Sequence, residues 1–172
     1  MQTNFRYVAL IIILVLLAAG AFVFFREPET PQNTQNHGEV VRLYYYNESK
    51  DKDTSGNIMC SKAGLDPIER RIQATESLAK IEETIKLLLA GGNITQSDVD
   101  RGISTEYPLP GVELVDIKLD EGTLILAFAD PEHWTGGGSC RVTILWAQIE
   151  ETAKQFSGVQ EVKFEPEELF QP

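Results

Sequence analysis

Two cysteines, two histidines and one acidic loop are the groups from which this 172-residue chain could build chemistry. Cys60 and Cys140 form the first candidate. In an oxidising compartment such a pair closes a disulfide, which here would tie the loop before the first soluble helix to the start of the second. Two free inert thiols are the alternative. A third reading makes Cys140 a thiolate at a helix N-terminus, and by residue type its base would be His133. His37 lies in a polar stretch with no ligand partners near it and reads as a solvated linker residue. Asp130, Glu132 and His133 share one loop and could act as an acid/base or metal cluster. Three ligands from one loop match no known ligand pattern, so a solvated loop with Trp134 partly buried is the plainer reading.

The remaining motifs are weaker. Gly136-Gly137-Gly138-Ser139 before a helix could cradle an anion with backbone N–H groups. It lacks the lysine and the spacing of a P-loop, and reads as a flexible loop with Ser139 as helix cap. Asp51 and Asp53 hint at a calcium loop, but the ligand order and closing Glu of an EF-hand are missing. Paired carboxylates for glycoside cleavage cannot be singled out among 26 acidic residues. No catalytic, cofactor-binding or metal-ligating residue is therefore assigned, and no cofactor is expected. Cys60 and Cys140 stand as the site residues, as a disulfide.

Several elements must position these groups. Val40–Tyr46 is β-branched and aromatic, a strand. Asn47–Gly56 is a polar loop. Leu65–Ile72 holds a short edge strand, because Pro67 cannot donate to a ladder. Ala74, Leu78, Ile81, Ile85 and Leu88 recur at helical spacing, with Gly91-Gly92 as the stop. Leu114–Leu119 and Thr123–Phe128 form a hairpin around Asp120-Glu121-Gly122. A second helix starts at Ser139, with Val142, Leu145, Trp146, Ile149, Ala153 and Phe156 on its core face, and ends at Gly158. Val159–Phe164 is the last strand. The order β-(β)-α-β-β-α-β predicts an α/β (α+β) sandwich, two helices on one face of a mostly antiparallel sheet.

Ahead of this domain, Val8–Phe25 carries no charged or hydrogen-bonding side chain. Such a run spans about 27 Å as a helix, close to the ~30 Å of a bilayer core. Phe22–Phe25 extends it past the small residues Ala19-Gly20-Ala21, which favours an uncleaved anchor over a signal peptide. The expected organisation is a cytoplasmic tail over 1–6, a transmembrane anchor over 7–25, a disordered linker over 26–38, a domain over 39–166 and a tail over 167–172. The short N-terminal tail with Arg6 places the N-terminus inside and the domain outside the cell membrane. Glu165, Glu167 and Glu168 read as solvated. A net charge of −11 argues against nucleic acid and against anionic lipid or wall polymer as partners.

Gly137-Gly138-Ser139-Cys140-Arg141-Val142, followed by Gln148–Phe156 and Val159-Gln160-Glu161-Val162, resembles the C-terminal half of a GerMN domain. Leu87–Gly92, Tyr107–Val112 and Val41–Tyr46 are similar to that family's first-helix end, its approach to the hairpin and its first strand. The resemblance covers Glu39 to Phe164. GSCRV, Cys60 and Leu169-Phe170-Gln171-Pro172 resemble a bacterial subgroup with a single copy of the domain. The resemblance implies an interaction or assembly module of the kind found in sporulation and spore-germination proteins and envelope lipoproteins, with a fold like ring-building envelope domains. It carries no catalytic residues over. The chain departs from the pattern in having an anchor instead of a lipidated Cys, and one domain copy. The expectation is a membrane-tethered, non-catalytic module recognising an envelope protein or itself; the alternative is an envelope hydrolase or glycan-binding protein.

Overall fold

A computed structural model describes residues 38–171. The predicted tail over 1–6, the anchor over 7–25, the linker to residue 37 and His37 lie outside the described residues. Among the described residues no helix is long and apolar enough to cross a membrane.

Strand β1 (Glu39–Asn47) pairs antiparallel with β2 (Leu65–Ile72) from Glu39 to Tyr46, with Leu43 opposite Ile68 and Tyr46 opposite Leu65. At its far end it pairs with the two-residue β3 (Ile103–Ser104). These strands make one sheet in the order β2-β1-β3. A second sheet holds β4 (Glu113–Asp120), β5 (Thr123–Ala129) and β6 (Glu161–Glu165) in that order. The β4–β5 hairpin closes on Glu121 and Gly122, both at positive φ, as a tight two-residue turn requires. β6 lies parallel to β5. The single, mostly antiparallel sheet expected from the sequence is thus two three-stranded sheets, one of them mixed. Alternation along each strand showed a buried face but not which strands share a ladder.

Helix α1 (Ser77–Leu89) touches β1, β2 and β4, and helix α3 (Ser139–Lys154) touches α1, β1 and β6, so the helices join the two sheets. Between them lies the short α2 (Gln96–Asp100). Ile81, Ile85 and Leu88 of α1 are buried as expected. Ala74 precedes the helix and Leu78 is exposed, so the apolar face is shorter than its spacing implied. Gly91 and Gly92 end α1 in left-handed conformation, and their amides bond Leu88 and Leu87. A Cβ on Gly92 would sit 2.3 Å from the Tyr45 hydroxyl, so close approach as well as conformation demands glycine there.

The strand edges are guarded in different ways. Pro67 sits on the outer strand β2, as expected. β4 carries an irregularity between Leu114 and Asp116. Helix α3 covers the part of β1 that β3 does not reach. Thr152 Oγ1 accepts from Tyr44 N (3.0 Å), Gln155 Oε1 accepts from Arg42 N (2.9 Å), and Gln155 Nε2 donates to Arg42 O (2.7 Å). Side chains of a helix here replace a missing neighbour strand.

The end of the chain folds back. Leu169 and Phe170 are buried, and the Phe170 ring lies 4.7 Å from Phe164 and 6.0 Å from Phe128. Trp146 stands edge-on to Phe164 at 4.9 Å. Glu165, Glu167 and Glu168 are exposed as expected, but the tail as a whole is not solvated.

Candidate functional site

The loop between β5 and α3 is organised by its own first carboxylate. Asp130 accepts hydrogen bonds from Trp134 N (2.8 Å), Thr135 N (2.9 Å) and Thr135 Oγ1 (2.7 Å). Burial alone would raise its pKa. The Thr135 and Trp134 donors, with His133 nearby, outweigh that and hold it below the usual carboxylate range. His133 closes the turn at positive φ, and both it and Glu132 are exposed. The carboxylate that could have been a ligand or a base is thereby committed to shaping the loop. Among the described residues no group of three His, Cys, Asp or Glu could hold a metal ion.

Gly138, not Ser139, caps α3. Its backbone is extended (φ −68, ψ 151), its carbonyl accepts the first helical bond from Val142 N, and no side chain caps the first-turn amides. Arg141 sets this frame. It donates from Nε to Glu106 Oε2 at 2.7 Å and from one terminal nitrogen to the carbonyls of Trp134 (2.9 Å) and Gly136. The glycine-rich loop therefore turns carbonyls toward a cation of its own chain.

Cys60 and Cys140 are joined, with Cα atoms 5.2 Å apart. Asp51 anchors the segment that leads to Cys60. It is buried and accepts from the Tyr46 hydroxyl (2.7 Å) and Ser61 N (2.7 Å), as well as the Ser61 hydroxyl. Burial opposes ionisation of Asp51, yet the Ser61, Tyr46 and Cys60 donors leave its pKa lowered. Asp53 accepts from Ser55 N, Asn57 N and Asn57 Nδ2 within its own turn. Both aspartates of the calcium hint are thus spent on local structure.

Sequence reasoning passed over two features. The first is Asp98. It caps α2 reciprocally with Thr95 and lies 2.9 Å from Arg101 and 3.4 Å from Arg70. The Thr95 hydrogen bonds, then the two arginines, pull its pKa down to about 2. The spacing Thr95-x-x-Asp98 was the available signal. The second is a groove on α3. Two adjoining hollows of about 400 and 370 Å³ share Trp146 as a common wall. One lies against Val142, Thr143 and Phe170, the other against β6 and Leu169. Trp146, assigned to the core face from its spacing, is only half-buried because it borders this groove.

A family profile described as sporulation and spore germination, named Germane, matches residues 42–168. The chain belongs to the Germane family. Two solved structures are similar to this Germane chain. One is the tandem GerMN domains of the sporulation protein GerM from Bacillus subtilis, 16% identical, TM-score 0.48, covering 81% of this chain and 43% of that one. The other is a candidate lipoprotein from Clostridium perfringens, 12% identical, TM-score 0.39, covering 74% and 73%. The chain thus spans less than half the length of the GerM structure it matches. Comparison with curated proteins returns no match.

Proposed function

We propose that this Germane-family chain is a membrane-tethered, extracytoplasmic binding or assembly module of the cell envelope that recognises a protein partner and performs no chemistry. The observation that carries the reading is the contrast between its concave surfaces and its titratable groups. Asp51, Asp53, Asp98 and Asp130 are each engaged by neighbours in the same chain, while the hollows beside α3 are walled by Val142, Trp146, Phe164 and Phe170. A hydrolase needs convergent groups of matched pKa around a reacting atom. A partner-binding face needs apolar anchors with a polar rim. The apolar run at 8–25 supplies the tether in this reading.

The test is chemical crosslinking of the full-length protein in native membranes, followed by recovery and mass spectrometry. Purified full-length protein is incubated in parallel with cell-wall polymer, with Asp130→Asn as control. One defined crosslinked partner and no released wall fragments is the expected result. Fragment release that Asp130→Asn abolishes would replace the module with an envelope hydrolase.

A further inference from the structure

The groove at Trp146 has a chemistry of its own. Val142, Thr143, Trp146 and Ala147 are spaced one, three and one along α3, which puts them on one stripe. This stripe runs beside the fully buried face of Leu145, Ile149 and Ala153. Phe170 forms the opposite wall. The floor is therefore apolar, and Thr143 on it is open to solvent.

The rim is negative. Past Trp146 the hollow is bordered by Glu161, Glu165 and Glu167 against a single Lys163. Lys163 lies 3.7 Å from Glu161, whereas Glu165 and Glu167 hold no ion pair among the described residues. On the near side, Lys62 is taken up by Glu150 at 2.5 Å and Glu151 at 3.3 Å. Two carboxylates thus stand uncommitted beside an apolar floor.

We propose that this groove binds a short amphipathic segment of another envelope protein, apolar side chains seated against Trp146 and Phe170, lysines or arginines opposite Glu165 and Glu167. The proposal rests on the module reading above and specifies its site and the chemistry of its partner. Charge complementarity chooses the occupant. A second copy of this chain would bring another net charge of −11 to a negative rim, and like charges facing each other oppose docking. A basic amphipathic segment satisfies floor and rim together. The stripe from Val142 to Glu150 covers eight helical rises, about 12 Å, room for roughly two turns of a docked helix.

The experiment is site-specific photocrosslinking of the full chain in native membranes. A benzophenone amino acid replaces Thr143 on the groove floor or, separately, Val115, which is exposed on β4 at the opposite edge of the sheet from β6. The expected result is an adduct from Thr143 whose crosslinked peptide, sequenced by mass spectrometry, has an apolar face flanked by Lys or Arg. Its yield falls about fivefold or more in Glu165→Lys/Glu167→Lys, a change at two exposed residues whose fold is checked by a thermal melt. An adduct from Val115 alone would leave the module reading standing and overturn the groove. Adducts from neither position would count against both. A Thr143 adduct to an acidic or uncharged peptide, or one indifferent to the charge reversal, would overturn the proposed partner chemistry.

Discussion

The loop at 130–140 and the groove on α3 meet at the start of one helix and make opposite use of their residues. In the loop, Asp130 is committed to Thr135 and Trp134, Arg141 to two loop carbonyls and Glu106, and Cys140 to Cys60, while Glu132 and His133 stay exposed. In the groove, Trp146, which reads as ordinary core, is left half-covered, and the rim carboxylates Glu165 and Glu167 hold no ion pair among the described residues. Residue type alone does not distinguish these two regions. What separates a structural polar group from a functional one is whether the fold has already satisfied it.

The sharpest way to break the comparison is to cut the loop's covalent tie. Cys60→Ser/Cys140→Ser releases a bridge across a sequence separation of 80. The chain-entropy account assigns such a loop about 4–5 kcal/mol, an upper value, so the double variant should lose about 4 kcal/mol in urea unfolding. Each single substitution should cost nearly as much as the pair, since either one abolishes the bond.

On the groove side, Phe170→Ala removes a ring that both packs on Phe128 and Phe164 and walls the groove. Truncating a buried aromatic costs about 3 kcal/mol or more. Equilibrium unfolding should show that loss. A cost under about 1 kcal/mol would mean that the chain's end is not part of the core.

Asp98 offers a pH test remote from both regions. Its pKa falls to about 2 because Thr95, Arg101 and Arg70 favour the ionised form. A depressed carboxyl contributes its stability above the unfolded value near 4, and that contribution fades as pH falls from about 4 to about 2. The full contribution is on the order of 2 kcal/mol. Asp98→Asn should lose about that much at pH 7 and flatten the acid limb of stability against pH. An unchanged acid limb would show that the ionisation of Asp98 does not couple to folding.

Much of this arrangement was legible in the sequence. The β1 run, the hairpin at Glu121-Gly122, the edge role of Pro67 and the Gly91-Gly92 stop follow from local rules that their residues obey, and the Cys60–Cys140 bridge from there being two cysteines to pair. The division into two sheets was not legible. It depends on β6 pairing parallel with β5 and on Thr152 and Gln155 covering β1, both long-range choices with no local signature. The groove was hidden for a related reason. Trp146 fits a core stripe by spacing, but its covering comes from distant parts of the chain, Phe164 edge-on to its ring and Leu169 and Phe170 across the groove. Asp98 had a visible capping pattern, but the arginines that lower its pKa come from β2 and the end of α2.

The smallest effect sharpens the comparison at the point where loop becomes helix. Gly138 caps α3 without a side chain, although its φ of −68 and ψ of 151 lie where serine sits readily. A Cβ added there meets nothing within 4 Å. Gly138→Ser would supply an oxygen to the first-turn amides and reduce the freedom of the unfolded chain. The expected gain is a few tenths of a kcal/mol, read as a small rise in the midpoint of thermal unfolding. If those amides instead serve an anion, a serine oxygen placed against them would compete with it. Added phosphate would then stabilise the parent protein more than the variant. Equal phosphate effects on the two are the outcome expected of a loop whose groups serve only its own fold.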